Sequence, residues 1–458
     1  MPGHNRSVNR WVAGLLLVML ACVPILLNRA SGEHLLEDTD TRVLLSRLAE
    51  RDSPLSWFSG DWPLQNHFYR PVSTLVFELD RFLWGNDPAG YGWTNAVLCA
   101  LCVLALFWFL KELTDHNFIS TSGALVFAFW HTSLGPVVAA SGAWLALLPA
   151  AAALIPGRRL LPVLSAALLW LFLASEAAGM WPLEFRMIGW LPGRTASVMT
   201  LFALLALACY ARYERLSARR EPAKKSPLYW PPTKGDTPRP AGSKTVLAWA
   251  VLSCLFLALA LGSYEQAIML PAALLLVGLT FCAARFRIRW GWHCAFWGML
   301  VAYLALRFQL VPVEVSGYQA QQFRTGPGIW ISLFGYLFPS APALYSLWHS
   351  IDLGPIVLLF ETGRRALLGF AGNLAAAFWT VRSLPFAAAG WALSCVAFLP
   401  MAWLKHFDHY HYWPMAMRAL FFAALLPVAG EALVSAMSRP ASQAPPRPDP
   451  APGSLPRP

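Results

Sequence analysis

Three carboxylates lie close together in the polar stretch between the first two long apolar segments of this chain: Glu37, Asp38 and Asp40. Neighbouring carboxylates disfavour each other's charged form, which raises the pKa of at least one of them and suits it to accept a proton or to bind a cation. The same residues also suit a plainer role, because Asp38 or Asp40 could cap the N-terminus of a surface helix. The residue types alone leave both roles open.

The elements that position these residues must lie in a membrane, because 57% of the chain is hydrophobic and only 13% is charged. Apolar runs of about 20 residues, the length of a helix that crosses a bilayer, recur along it. This pattern excludes a soluble enzyme and predicts an all-α, polytopic transmembrane bundle of about 12 helices. The predicted spans are 11–28, 91–111, 118–138, 142–156, 160–179, 195–212, 245–263, 266–284, 291–310, 355–380, 384–403 and 412–435.

The distribution of charge predicts how these helices are oriented. The formal net charge is +11, and the Lys and Arg residues are concentrated in short loops and in a linker at 213–244. This positive-inside pattern predicts that both termini are cytoplasmic and that the 29–90 loop faces outward, and it argues against a nucleic-acid partner. Arg6 and Arg10 precede the first apolar run without a convincing cleavage site after it. That predicts an uncleaved first helix in the inner or plasma membrane.

The linker at 213–244 is basic and rich in Pro, and it divides the chain into two membrane halves, 1–212 and 245–438. The Pro-rich tail at 439–458 has no apolar anchor, which predicts disorder. The apolar segment at 328–349 is broken by Pro339 and Pro342. Counting it as a crossing would break the orientation, so we expect a helix on the outer surface or a re-entrant one.

Metal-ligating residue types are present, but their pattern assigns no metal site. All eight cysteines lie in or against apolar segments, including the CxxC of Cys99 and Cys102, and we interpret them as packing residues. One group has suitable side chains without a fixed helical spacing: His406, Asp408, His409 and His411. No metal ligand is therefore predicted, and a divalent cation stays open.

Several stretches, in chain order, resemble motifs of the GT-C type membrane glycosyltransferases, in the branch of the tetratricopeptide-repeat O-mannosyltransferases and their bacterial relatives. The most specific is FYRPVSTLVFELD at 68–80, which runs into FLWGNDPAGY at 82–91. The others are ALVFAFWH at 124–131, WLPGR at 190–194, SYEQAIMLP at 263–271, YLALR at 303–307 and HYHYWP at 409–414. The resemblance covers most of residues 35–435 and implies a GT-C-like bundle with a catalytic first outer loop.

The chain also departs from that family pattern. Four positions differ in residue type: Gly92 and Cys99 stand for His, Thr132 for Pro and Tyr264 for Lys. The acidic pair of the first outer loop is either Glu37 with Asp38 or Asp38 with Asp40, and no tetratricopeptide repeat follows the last predicted helix. These differences leave open a divergent substrate or a lost catalytic function.

The resemblance implies transfer of a sugar from a polyprenyl-phosphate-linked donor to an acceptor glycan, lipid or protein at the outer face. Transfer with inversion needs a general base for the acceptor hydroxyl. Asp38 is the first candidate because it belongs to both possible acidic pairs. Arginines suit the donor phosphate, and those near predicted outer ends are Arg70, Arg194 and Arg307. Further substrate-binding candidates are Asp61, His67, Tyr69, Glu265, His409 and Tyr410.

Plainer roles and other protein classes compete with this hypothesis. Arg70 could form an ion pair that anchors the loop, Glu265 could pair with a nearby arginine, and His131 could be a hydrogen-bonded core residue. A non-catalytic membrane scaffold would explain the lost family residues. A transporter or flippase of lipid-linked sugars would explain the proline-broken segment at 328–349, although carriers place their charges at mid-membrane and the acids here lie in the first outer loop.

Overall fold

The computed structural model describes residues 2–51, 53–132, 170, 173, 183–218, 243–282, 288–337, 383–405 and 407–437. The regular elements in these ranges are helices and 3₁₀ turns, with one isolated bridge between Phe323 and Leu404. The predicted all-α class is confirmed for this part of the chain.

The helices are numbered here in chain order. They are α1 (Pro2–Leu27), α2 (His34–Glu37), α3 (Thr39–Ala49), α4 (Pro71–Trp84), α5 (Pro88–Thr114), α6 (Asn117–Trp130), α7 (Glu184–Met187), α8 (Arg194–Ala218), α9 (Ser243–Leu261), α10 (Leu270–Cys282), α11 (Trp290–Leu310), α12 (Gly317–Gln322), α13 (Pro327–Leu337), α14 (Leu384–Phe398) and α15 (Tyr412–Met437). The 3₁₀ turns are Pro54–Ser59, Glu265–Met269, Leu399–Trp403 and Asp408–His411.

Five helical stretches of the described ranges are long and apolar enough to cross a membrane: Pro88–Thr114, Arg194–Ala218, Lys244–Leu261, Pro385–Trp403 and Asp408–Gly430. Each coincides, to within several residues at its ends, with a predicted span. The spans predicted at 142–156 and 355–380 lie outside the described residues, as does all of 160–179 except Trp170 and Leu173. A membrane protein is therefore supported, while the total of about twelve helices stays a prediction.

The acidic stretch lies at one end of the bundle, which we call the loop end. There, Arg307 near the end of α11 donates from Nη2 to the carbonyl of His67 at 3.1 Å. Arg70, at the start of α4, pairs with Glu265 in the turn after α9 at 2.6 Å. The connections after α1, α9 and α11 thus meet at the same end, and the bridge between Phe323 and Leu404 adds the connection after α14.

The opposite end gathers the basic residues. Arg215, near the end of α8, lies 3.0 Å from Glu112 near the end of α5. Arg289, immediately before α11, lies 3.4 Å from Glu214. The helix ends that border the basic linker and the basic loop at 285–289 are therefore neighbours, as the orientation predicted from charge requires. The side of the membrane on which this end lies stays a prediction.

The 29–87 stretch folds into a packed layer of its own at the loop end, which we call the loop layer. α2, α3, the 3₁₀ turn Pro54–Ser59 and α4 enclose a small apolar cluster that is separate from the main core of the bundle. Its buried members are Leu35, Leu44, Leu48, Trp57, Trp62, Phe77, Tyr91 and Leu191. The carboxylates of the first loop are consequently presented by a folded surface.

Local sequence signals explain the helix boundaries of this layer. α4 begins at Pro71, whose fixed φ suits the first helical position, and it ends at Gly85, which has a φ of +56°. α5 then begins at Pro88 after Asp87, whose side chain accepts from the Ala89 amide at 3.0 Å. These signals hold the two helices only three residues apart.

The packing confirms one interpretation made from the sequence and describes part of the segment that concerns another. His131 is fully buried, with Nδ1 2.8 Å from the Phe127 carbonyl and Nε2 2.8 Å from the Tyr412 hydroxyl, so it is the hydrogen-bonded core residue that was expected. The described part of the 328–349 segment is α13, an 11-residue helix. This described part is about 16 Å long, and the expectation that the whole segment lies on the outer surface or re-enters stays a prediction. The rest of that segment lies outside the described residues.

Gly92 marks a close approach of two chain segments. A Cβ added at this position would lie 1.5 Å from the carbonyl oxygen of Ala30, so only a glycine lets the chain after α1 pass the first turn of α5. The His that the resembling family has here would not fit this packing. We expect Gly92→Ala to destabilise the protein by about 1–3 kcal/mol, because the backbone around Ala30 must move away from α5 to make room for the methyl group.

Denaturation of the purified protein in detergent measures this effect. Gly298→Ala is the matched control, because Gly298 lies inside α11 with open space around the added Cβ and alanine is the better helix former. An equal change in the free energy of unfolding for the two variants would contradict the close packing at Gly92.

Candidate functional site

Asp38 is the N-cap of α3. Its Oδ2 accepts from the Thr41 amide at 3.2 Å and from the Thr41 hydroxyl at 3.3 Å. The same oxygen accepts from Nε1 of Trp190 at 3.2 Å. Of the two roles left open by the sequence, the capping role is therefore realised at Asp38, and the carboxylate is fixed in place by three donors.

Asp40 lies two residues further along, in the first turn of α3, and its side chain is exposed. Its surroundings still desolvate it enough to raise its pKa, the nearby Asp38 charge raises the pKa further, and Arg186 lowers it. Among the described residues no side chain donates a hydrogen bond to the Asp40 carboxylate. Asp40 is thus better placed than Asp38 to accept a proton, and Glu37 is an exposed residue at the end of α2.

Asp38 and Asp40 belong to a polar cluster that draws on four separate parts of the chain. We call it the loop-end cluster, and it consists of Asp38, Asp40, Arg186, Trp190, Tyr318, Asp408 and His409. The Arg186 guanidinium lies 4.8 Å from the Trp190 ring and 4.0 Å from the Asp408 carboxylate. The Trp190 ring in turn lies 5.2 Å from that of His409. Trp190 therefore joins the first loop to the turn before α15.

Tyr318 of α12 connects the cluster to the Arg70 region. Partial burial raises the pKa of its phenol, the Asp40 charge raises it further, and the Arg70 and Arg186 charges lower it. These charged groups therefore act on one half-exposed ring at the loop end. The cluster offers an acid–base residue, a cation and three aromatic rings within a common surface.

Sequence reasoning did not select Arg186, Trp190 or Tyr318. Trp190 lies in the quoted WLPGR stretch, which is the signal that could have singled it out. The short connection that carries Arg186 and Trp190 is tightly folded, since a Cβ at Gly193 would lie 2.2 Å from the Arg186 carbonyl oxygen. Tyr318 lies in a connection without a distinctive motif, so only tertiary packing brings it to the cluster.

Arg70 and Glu265 are brought together although they are 195 residues apart in sequence. Arg70 donates from Nε at 2.8 Å and from Nη2 at 2.6 Å to the same carboxylate oxygen. Three rings enclose the guanidinium: Trp62 at 4.4 Å, Phe68 at 4.1 Å and Tyr264 at 4.5 Å. This is the loop-anchoring ion pair that the sequence had left as an alternative, and it joins two of the stretches that carry the family resemblance.

Arg194 is placed where the predicted phosphate-binding role does not fit. Its side chain is 0% exposed, and Nη1 lies 2.5 Å from Oδ2 of Asp80. Nε donates to Oδ1 of Asn95 at 2.7 Å, and Nη2 donates to the Tyr91 carbonyl at 3.1 Å. The guanidinium holds α4, α5 and α8 together beneath the loop layer and offers no exposed edge to a ligand.

Asp61 and His67 shape the turn that precedes α4. The Asp61 carboxylate accepts from the backbone amides of Trp62 at 2.8 Å, His67 at 2.8 Å and Phe68 at 2.9 Å. Partial burial raises its pKa, and these hydrogen bonds oppose the increase. His67 has a φ of +66°, and its Nδ1 lies 2.8 Å from the Glu314 carbonyl. Both residues serve the loop geometry in this arrangement.

The remaining candidates divide between the cluster and its supports. Tyr69 donates to the Phe58 carbonyl at 3.0 Å, and Arg307 binds the His67 carbonyl, so both brace the loop layer. His409 and Tyr410 lie in the 3₁₀ turn before α15 and are buried. Of the residues predicted from sequence, the structure brings Asp38, Asp40 and His409 into the loop-end cluster.

In the described ranges no three His, Cys, Asp or Glu side chains are arranged as a metal site. His406, one of the four residues singled out for their side chains, lies outside those ranges. A divalent cation therefore stays open.

Comparisons with known proteins found no matching family model, no matching curated protein and no matching solved structure. The loop-end cluster is therefore the feature of this chain from which a function can be inferred.

Proposed function

We propose that this chain is a membrane glycosyltransferase that moves a sugar from a polyprenyl-phosphate-linked donor to an acceptor at the loop end, with Asp40 as the general base. The observation that carries the proposal is the loop-end cluster, in which an exposed carboxylate with a raised pKa lies near a cation and several aromatic rings. The cluster lies at the ends of helices long enough to cross a membrane, where a lipid-linked donor presents its sugar.

The step that we propose balances as a single displacement. The acceptor oxygen bonds to the anomeric carbon of the sugar while the bond from that carbon to the phosphate oxygen breaks. The phosphate leaves with the electron pair, and the acceptor proton passes to the Asp40 carboxylate. A carboxylate with a raised pKa suits this transfer. It binds the acceptor proton more strongly than an ordinary carboxylate does, because its pKa lies closer to the pH of the reaction.

The other members of the cluster have distinct supporting roles in this proposal. Arg186, half-buried and next to Asp408, takes the place of Arg194 as the cation for the donor phosphate. The Trp190 ring offers an apolar face to a sugar ring, and its indole N–H fixes Asp38. Asp38 caps α3, and from that position its charge raises the pKa of Asp40.

A non-catalytic scaffold is the second candidate, because several of the residues selected from sequence are engaged in structural contacts. Asp38 caps a helix, Arg70 is paired with Glu265, and Arg194 is paired with Asp80. A scaffold needs these contacts and does not need the Asp40 carboxylate. A transporter of lipid-linked sugars would move its donor across the bilayer without breaking the bond to phosphate.

Purified protein in lipid vesicles tests the three classes together. The vesicles contain a polyprenyl-phosphate sugar with a radiolabel on the sugar, and a membrane-free cell extract supplies acceptors. We expect protein-dependent movement of the label from the lipid phase to the acceptors. Intact labelled donor that changes leaflet would instead indicate a transporter, and intact donor that stays in place would contradict both activities.

A further inference from the structure

Helix α4 has an inverted distribution of polar and apolar residues. Its side toward the protein carries the buried ring of Phe77 together with four buried polar residues, Ser73, Thr74, Glu78 and Asp80. Its outward side carries Leu79, Phe82 and Leu83, which are 54%, 85% and 54% exposed. A surface helix that meets water has the opposite arrangement.

Specific contacts fix α4 in this orientation. Glu78 accepts from Nε1 of Trp57 at 2.8 Å, and Asp80 is paired with Arg194 and accepts from the Thr94 hydroxyl at 2.7 Å. Rotating α4 to bury its leucines would break these buried polar contacts, and an unpaired buried charge is costly. The apolar face is therefore held outward by the same ion pair that joins α4 to the bundle.

The neighbouring spanning helix shows what this face meets. In α5, Trp93, Val97 and Leu101 recur every four residues and are exposed, which forms one apolar stripe along a helix that is long enough to cross a membrane. Trp84 at the end of α4 donates from Nε1 to the hydroxyl of Thr94, in the second turn of α5, at 3.2 Å. The apolar face of α4 is thus continuous with the start of that stripe.

A groove between α3 and α4 opens beside the same face. It has a volume of about 770 Å³, and its apolar lining includes Leu45, Leu75, Leu79 and Phe82. Arg81 is the cation at this groove, and its Nη1 donates to the Leu48 carbonyl at 3.3 Å. The same atom lies 3.6 Å from the Glu78 carboxylate, while the Arg81 side chain stays 42% exposed. An apolar wall with an exposed arginine at its edge matches an acyl chain whose phosphate lies at the level of the guanidinium.

We propose that α4 is an interfacial lipid-binding helix, with Leu79, Phe82 and Leu83 inserted at the boundary between headgroups and acyl chains and with the groove occupied by a phospholipid chain. The loop layer then rests on the membrane surface and is not surrounded by water on all sides. This inference does not depend on the transferase activity, because it follows from the orientation of α4, the apolar stripe of α5 and the groove between α3 and α4.

Photocrosslinking in phospholipid nanodiscs tests the proposal. A benzophenone amino acid replaces Phe82 in one variant and Leu83 in a second, and Tyr318 in the matched control. Tyr318 is also an exposed side chain at the loop end, but the charges of Asp40, Arg70 and Arg186 influence the pKa of its phenol. After irradiation, mass spectrometry of the intact protein and of its peptides measures the covalently attached lipid.

We expect several-fold more lipid adduct at positions 82 and 83 than at 318. The replaced side chains are exposed, so the variants should fold, and retention of a single monodisperse peak in size-exclusion chromatography checks this. Equal lipid adduct at all three positions, or no adduct at 82 and 83, would overturn the proposal. A crosslink from position 82 to a second copy of the chain would also overturn it, since the face would then be a protein interface.

Discussion

Asp40→Asn is expected to lower the rate of sugar transfer by about 100-fold to 10,000-fold, the range over which general-base catalysis contributes. The amide keeps the shape of the carboxylate and removes its capacity to take the acceptor proton. Asp40 is exposed and accepts no hydrogen bond in the described part of the chain, so the fold should tolerate the change. The measurement is the initial rate of label transfer by purified protein in vesicles.

Glu37→Gln is the matched control for this experiment. It removes a carboxylate from the same acidic stretch, at an exposed position at the end of α2, and we expect the rate to remain close to that of the unsubstituted protein. Asp38→Ala should show a different defect, in which α3 loses its cap and stability falls by about 0.5–2 kcal/mol. Full activity of Asp40→Asn alongside an active parent protein would remove Asp40 from catalysis.

The pH dependence of the same reaction carries a second signature of Asp40. Desolvation and the charge of Asp38 raise its pKa, and Arg186 lowers it. A base must be deprotonated to act, so activity should fall with decreasing pH at a midpoint above the ordinary Asp value of about 3.9. Arg186→Gln should move this midpoint to higher pH, because a cation is lost. Asp38→Asn should move it to lower pH, because a neighbouring negative charge is lost.

Arg194→Gln is expected to destabilise the protein by about 3–5 kcal/mol, because it leaves Asp80 buried without its partner. Asp80→Asn should have a similar effect through the unpaired guanidinium. Both side chains are almost completely buried, and their atoms lie 2.5 Å apart. The measurement is the free energy of unfolding in detergent, from denaturant titration of each variant.

An exposed ion pair in the same layer is the control for that measurement. Arg47 and Glu50 lie 3.1 Å apart with both side chains exposed, so Arg47→Gln should cost no more than about 1 kcal/mol. The double variant of Asp80 and Arg194 should lose less stability than the sum of the two single variants. Unchanged stability of Arg194→Gln together with weaker donor binding would instead restore the phosphate role predicted from the sequence.

The sequence by itself determined the membrane character, the position of the described spanning helices and the capping option at Asp38. These features depend on runs of consecutive residues. An apolar run of bilayer length predicts a spanning helix wherever it lies, and an Asp before a polar helical turn can satisfy the free amides of that turn. The grouping of the basic helix ends follows from counting crossings between charged loops.

Tertiary structure decided the roles of the individual charges. Arg194 resembles a ligand-binding arginine in sequence, yet a carboxylate 114 positions earlier, that of Asp80, neutralises it in the core. Arg70 likewise meets Glu265 across 195 residues. Local periodicity contains no information about which distant partner satisfies a charge, because the pairing depends on how α4, α5, α8 and the turn after α9 pack.

The orientation of α4 likewise depends on tertiary packing, whereas its ends depend on local sequence. Its sequence marks where the helix begins and ends, through Pro71 and Gly85, but an apolar edge within a helix is equally compatible with a protein core and with lipid. The buried contacts of Glu78 and Asp80 turn that edge outward. Asp40 depends on packing in a similar way, since Arg186 and Tyr318 reach it from distant connections. The sequence therefore determined which described segments are long and apolar enough to cross a membrane, and only packing decided which charged residues became structural and which stayed exposed.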